Sequence, residues 1–141
     1  MSLSLDLIRA DIKTARNNLS PIVNFTNDEM MYNIAAYHAQ QATEKCIKIV
    51  LSQYYGLSEN SRPFRTHNIA DLIGMLEDCE EGGNKSPIVI PEYIKVMSAE
   101  ITVWEASVRY NDNIVILRDN IRKVIRECET MLSDLKKAGF K

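Results

Sequence analysis

The sequence predicts an all-α protein, an up-and-down antiparallel helical bundle of about five helices. Three observations predict it. Apolar residues recur at three- and four-residue spacing in about five segments that cover most of the chain. No segment alternates apolar and polar residues as a half-buried strand does. The connections between segments are short, which favours antiparallel neighbours.

The first helix is expected from about Leu3 to Leu19, where Leu5, Ile8, Ile12, Ala15 and Leu19 share one stripe. Ser20-Pro21 ends it, because the residue before a proline is pushed out of the α region. The second and longest helix runs from about Asp28 to Tyr55. Thr26 and Glu29 fit a capping box, Asn27 and Asp28 are further cap candidates, and Gly56 stands at the usual stop position. Its Ala35, Ala39, Ala42, Cys46 and Ile49 form a stripe of mostly small residues that lets another helix approach. Tyr37, Gln41, Glu44 and Lys48 lie roughly opposite, flanked by His38 and Lys45. A thin apolar seam under a crowded polar face is the pattern of an amphipathic surface helix. Its extra length offers a surface for self-association.

A polar loop, Leu57–Arg65, leads to a short third helix from about His67 to Cys79. Thr66 is its expected N-cap, and Ile69, Leu72, Ile73 and Leu76 face inward. Glu80 to Pro87 is acidic, then Gly-rich, and reads as a loop. The fourth helix starts near Pro91, a favourable first helical residue. Ile94, Met97, Ile101, Trp104 and Val108 form its stripe, and Arg109-Tyr110-Asn111-Asp112 breaks the pattern. The fifth runs from about Asn113 to Lys137. Leu117, Ile121, Val124, Cys128, Met131 and Leu135 face the core, with Ile114, Ile125 and Leu132 beside them. Lys136 and Lys137 suit its negative end, and Gly139 follows.

The chain has 141 residues, and all of them, 1–141, are expected to form a single domain. A chain of that size buries roughly 70% of its unfolded surface, so its core needs neither metal nor disulfide. The formal net charge of −2 sets up no global basic field, so nucleic-acid binding would require a local patch. Cys46, Cys79 and Cys128 are odd in number and form no CxxC pair. They are expected to be reduced, as suits a cytoplasmic protein. Met1–Asp6 lacks the basic and apolar regions of a signal peptide. Apolar runs such as Ile114–Leu117 are far too short for a membrane span, so no membrane partner is expected.

Several side chains are candidates for chemistry. His38, Gln41, Glu44 and Lys45 can line a site for a nucleotide or an RNA phosphate, with Lys48 adding charge. Equally, they can form a solvated helix face or a polar seam between helices, and Glu44 and Lys48 pair at i,i+4 by themselves. His67 is expected to support the helix start by bonding a local backbone group. Two histidines so far apart, with no thiolate at metal spacing, predict no metal site and no cofactor. Arg109, with Tyr110 and Asp112, sits where a helix ends. Arg109 can bind a phosphate or a carboxylate, or pair with Asp112 or Glu105. Trp104 is a core residue by its spacing. Glu77, Asp78, Glu80 and Glu81 lack the alternating ligands and placed glycine of a calcium loop. Arg62, Arg65 and Lys85 make a modest basic surface without the interleaved aromatics of a nucleic-acid groove.

Three stretches carry a family resemblance over nearly the whole chain. Tyr37-His38-Ala39-Gln40-Gln41-Ala42-Thr43-Glu44-Lys45 resembles the aromatic-His-Ala-Gln-Gln-Ala-x-Glu-Lys helix of many bacterial HEPN domains (higher eukaryotes and prokaryotes nucleotide-binding). Thr66-His67-Asn68-Ile69 is similar to that family's Thr-His-(Asp/Asn)-aliphatic segment. Arg109-Tyr110-Asn111-Asp112 resembles its Arg-Tyr-Pro-Asp, with Asn111 in the proline's place. The resemblance implies an α-helical bundle, often a homodimer, that frequently stands beside a minimal nucleotidyltransferase. Some such pairs are toxin–antitoxin systems, in which the HEPN toxin is a metal-independent ribonuclease with Arg, four to six residues, then His in its C-terminal half.

This chain departs from that last pattern. Its two histidines are His38 and His67, and Ile114 stands five positions after Arg109. Metal-independent RNA cleavage needs a proton acceptor, a proton donor and a cation for the phosphorane charge. Arg62 and His67 have the spacing, but Pro63 interrupts them and short matches arise by chance. The sequence therefore predicts a HEPN binding module, dimeric, acting with a nucleotidyltransferase-type partner or a nucleotide and without strong catalysis of its own. The alternatives are a ribonuclease toxin with a variant site drawn from Arg62, His67 and Arg109, and a scaffold that only dimerises.

Overall fold

A computed structural model describes residues 3–19, 28–58, 61–110 and 116–141. The expected stop at Ser20-Pro21, the caps Thr26 and Asn27, and Asn111, Asp112 and Ile114 lie outside the described residues. So do the side chains of Asp28, Glu29, Arg62, Val108, Arg109 and Tyr110. The described residues form six α-helices and no strand: α1 Leu5–Asn17, α2 Asp28–Gln53, α3 Ile69–Glu81, α4 Glu92–Val96, α5 Ser98–Tyr110 and α6 Arg118–Lys137. A 3₁₀ turn at Arg62–Arg65 precedes α3.

α1 begins where the Ser4 hydroxyl accepts the Leu7 N–H at 3.3 Å, satisfying one of the free donors of a helix start. It buries Leu5, Ile8, Ile12 and Ala15, as their spacing requires. α1 runs antiparallel to α6. The Leu5 N–H donates to the Lys141 carbonyl at 3.0 Å, and at the opposite end Arg118 donates to the Leu19 carbonyl at 2.8 Å. α2 lies along α6 in the same direction, since Thr43 meets Cys128 and the Gln53 side chain accepts the Lys141 N–H at 3.3 Å.

α2 is not the surface helix its pattern suggests. Ala35, Ala39, Ala42, Cys46 and Ile49 are buried as expected, but so are Gln40, Thr43, Glu44, Lys45 and Lys48. α1, α3, α5 and α6 all pack against it, so α2 is the axis of the bundle and its polar face is a seam between helices. Gly56, at φ 72°, ends this stretch in the left-handed region that glycine adopts without a side-chain clash.

α3 starts later than expected. Its N-cap is Asn68, whose Oδ1 accepts the Asp71 N–H at 3.0 Å, while Thr66 stays extended and holds the Asn68 N–H at 3.1 Å. The helix also ends later, at Glu81, so Glu80 and Glu81 belong to it and the loop begins at Gly82.

The fourth expected helix is two. Met97 takes a bridge-region backbone at φ −90°, ψ 4°, and separates α4 from α5. The two halves serve different neighbours: α4 meets α6, whereas α5 packs on α2 and α3. Pro91 is the N-cap residue and not the first helical one. The last helix begins at Arg118, not near Asn113. Leu117, expected in the core, is its exposed N-cap residue, and Ile116 takes the buried place. One apolar cluster joins all these elements, with Trp104 buried within it. No helix among the described residues is long and apolar enough to cross a membrane.

Candidate functional site

The polar residues of α2 are held in two networks, each built around a buried carboxylate. The first joins α2 to α1. Asp11 lies between Ile8 and Ile12 on the inward side of α1, where a charge must find a partner. Its Oδ2 accepts from the Lys45 ammonium, and its Oδ1 lies 2.8 Å from His38 Nδ1. Asp11 and Lys45 are both buried, and His38 is partly exposed.

The second network joins α2 to the segment before α3. Glu44 Oε1 accepts from Gln40 Nε2 at 3.0 Å and lies 2.9 Å from His67 Nδ1. Its Oε2 accepts from Lys48 Nζ at 3.0 Å. The same donors reach the backbone: Lys48 Nζ donates to the Phe64 carbonyl and Gln40 Nε2 to the His67 carbonyl, each at 3.2 Å. Gln41 closes the group by donating to Gln40 Oε1 at 2.7 Å. Glu44, Gln40 and Lys48 are buried, whereas the His67 side chain is 47% exposed.

The two networks share one plan: a lysine, a carboxylate and an imidazole held through Nδ1. A carboxylate accepts hydrogen bonds and cannot donate them, so each neutral ring carries its proton on Nδ1 and turns the Nε2 lone pair away. Each lysine offsets the charge of its carboxylate, which is the condition for burying either. Glu44 and Lys45 are consecutive, so the helical turn of about 100° per residue sends one toward α3 and the other toward α1.

His38, Gln41, Glu44 and Lys45 thus come together around α2, in two groups and not one. His67 joins the second group through the Glu44 side chain. The expected bond from its ring to a local backbone group is replaced by this one, and its own carbonyl accepts from Gln40. Arg62 opens the 3₁₀ turn and Arg109 and Tyr110 close α5. Sequence reasoning missed Asp11 and Gln40. Asp11 had a signal, a lone carboxylate beside Ile8 and Ile12 on the apolar stripe; Gln40 had only its place in the family stretch of α2.

The two buried thiols, Cys46 and Cys128, are poor nucleophiles. Burial pushes the Cys128 thiol up to about 12, only partly offset by its contact with the Thr43 hydroxyl at 3.2 Å, and burial raises Cys46 as well. No group of metal ligands forms among the described residues. An open groove of about 200 Å³ lies between α3 and the segment leading to α4, lined by Leu76, Glu77, Glu80, Lys85, Ile88 and Lys95. It holds none of the candidate site residues, and it is small for a nucleotide.

A family model for the HEPN domain matches residues 8–138 of the chain. No curated protein and no solved structure gives a match.

Proposed function

Because this chain belongs to the HEPN domain family, we propose that it works as a dimeric HEPN binding module, together with a minimal nucleotidyltransferase-type partner or a nucleotide, and without strong ribonuclease activity of its own. One observation carries the reading. The charged and imidazole side chains in the family segment of α2 are engaged inside the molecule: His38 and Lys45 on Asp11, Glu44 on Lys48 and His67. A segment spent on holding helices together leaves binding to the outer surfaces.

The test is an RNA cleavage assay with EDTA present, run beside binding assays for nucleotides and for a minimal nucleotidyltransferase. The folded wild-type chain is expected to leave RNA intact and to bind a partner or a nucleotide. Cleavage that disappears in His67→Ala would overturn the reading.

A second reading has its own observation. His67 is half exposed while its Nδ1 is held by a buried carboxylate, the arrangement that orients an imidazole as a general base. With a cation from Arg62 or Arg109 this would be a variant ribonuclease site, and the same assay distinguishes the two.

A further inference from the structure

We propose that the seam between α1 and α6 is a docking face for a partner protein whose contacting surface is rich in aspartate and glutamate. That there is a protein partner rests on the binding-module reading above; the face and the partner's chemistry are new.

The chain has a formal net charge of −2, but its charge is unevenly placed. α3 holds five carboxylates, Asp71, Glu77, Asp78, Glu80 and Glu81, and no cation. α1 and α6 are the opposite. On α1, Arg9, Lys13 and Arg16 stand at spacings of four and three, and on α6, Arg118, Arg122 and Arg126 stand at spacings of four. Each set therefore lines one side of its helix. Two contacts turn both sides toward the same seam. Arg16 pairs with Glu129 across it, and Arg118 crosses it to the Leu19 carbonyl. Arg9, Lys13, Arg16, Arg122 and Arg126 are exposed, and Arg118 is partly so. Asp6, Asp119 and Glu129 share the strip, so six cations stand against three carboxylates. That is a local positive field on an acidic chain.

These cations are held but not used up. Arg9 meets Asp6 at 2.8 Å and Arg122 meets Asp119 at 2.7 Å, each through one terminal nitrogen. A guanidinium carries several further N–H donors, and these remain for a partner. The pairing has already taken part of the side chain's freedom, which lowers the ordering cost of binding. Lys13 and Arg126 make no side-chain ion pair among the described residues.

Charge complementarity selects the occupant. Five of the six cations are arginines, the cation enriched at protein interfaces, whose fork grips a carboxylate in bidentate fashion. A second copy fits badly, since a two-fold contact on this face would set cation against cation. A nucleic acid fits less well than a protein. Neither α1 nor α6 has an aromatic residue on which a base could stack, and Asp6, Asp119 and Glu129 would lie beneath its phosphates. A protein surface can answer both signs, with carboxylates on the arginines and an occasional lysine on those acids.

The test follows, by fluorescence anisotropy, the binding of the full chain to a labelled helical peptide of glutamate and alanine, with duplex RNA as competitor. The wild type is expected to bind the peptide at ~0.01 M ionic strength and more weakly at ~0.15 M, where the screening length falls from about 30 Å to about 8 Å. Lys13→Glu with Arg126→Glu should weaken binding at least ~10-fold with unchanged helical circular dichroism. Asp78→Lys with Glu81→Lys, on α3, should not weaken it. RNA of equal total charge should displace the peptide poorly at the higher ionic strength. No peptide binding at the lower ionic strength, a face variant that binds like the wild type, or RNA that binds more tightly than the peptide would overturn the proposal. If the face variant does not fold, Lys13→Gln with Arg126→Gln takes its place, and an unchanged affinity there overturns the face. RNA cleavage by the wild type in EDTA would sink the binding-module reading and leave the peptide to decide the face. A chain that cleaves nothing and ignores the peptide sinks the face alone.

Discussion

His67 lies 23 positions beyond Glu44 in the chain, yet its Nδ1 comes within 2.9 Å of Glu44 Oε1. The same carboxylate receives Gln40 and Lys48, and those two donors also hold the carbonyls of His67 and Phe64. One buried acid therefore organises the polar links, among the described residues, between the middle of α2 and the segment that opens α3.

Removing that acid should cost far more than removing its exposed partner. Glu44→Ala leaves the Lys48 ammonium buried without its carboxylate, a loss of about 3–5 kcal/mol. His67→Ala removes one bond from a half-exposed ring and should cost about 1 kcal/mol. Urea unfolding of the two variants measures the difference. Equal losses would show that Glu44 is not the hub.

The Asp11 network should behave as a coupled pair. Asp11→Ala and Lys45→Ala each leave a buried charge alone and should each destabilise by about 3–5 kcal/mol. The double substitution Asp11→Leu with Lys45→Met replaces the pair by apolar groups of similar reach and should recover most of that loss. A double variant whose loss is the sum of the single ones would contradict the coupling.

The cysteines give a pH dependence of known sign. Unfolding returns the Cys128 thiol from about 12 to its ordinary 9.0, so above that value the unfolded chain releases a proton that the folded chain keeps. The stability this thiol contributes is intact below pH 9.0 and falls as pH rises toward 12. Measured by urea unfolding, the stability of the wild type relative to Cys128→Ala should fall steadily over that range. A constant difference would mean that the thiol is not sealed from water. At neutral pH a thiol reagent should modify partly buried Cys79 in the folded protein and reach Cys46 and Cys128 only on unfolding.

The start of α3 offers a smaller test. Asn68→Ala removes the side-chain bond to the Asp71 N–H and should cost about 1 kcal/mol. Thr66→Ala, which removes only a turn bond outside the helix, should cost less. The reverse order, in thermal or urea unfolding, would return the cap to Thr66.

The helices were legible in the sequence where spacing alone decides, as in Leu5, Ile8, Ile12 and Ala15 of α1 or Ile121, Val124, Cys128 and Met131 of α6. What depends on distant partners was not. Gln40, Glu44 and Lys48 read the same on a wet face as in a seam, because the residues that make it a seam lie elsewhere in the chain. Asp11 is 34 positions from Lys45. Thr66, the expected cap, and Asn68, the actual one, stand two positions apart and are both residue types that cap helices. The selection fits a tertiary contact, in which the Thr102 hydroxyl accepts the N–H of Ile69, the first residue of α3, at 3.0 Å. The division at Met97 left the apolar period uninterrupted, so nothing in the pattern marked it. Of the candidate site, the α2 members were visible by resemblance, but their internal pairing was not.

Glu44 and Lys45, neighbours in the chain, grip different parts of the molecule. That has a bearing on how kinship with this chain is to be interpreted. His38, Glu44, Lys45 and His67, among the residues by which it resembles its family, are its joinery, the pegs that fix α1 and α3 to α2. A mutation that dulls a surface chemistry leaves such pegs untouched, and a mutation that breaks a peg is lost with the fold. A match in this segment therefore speaks for the architecture and not for the trade the protein plies.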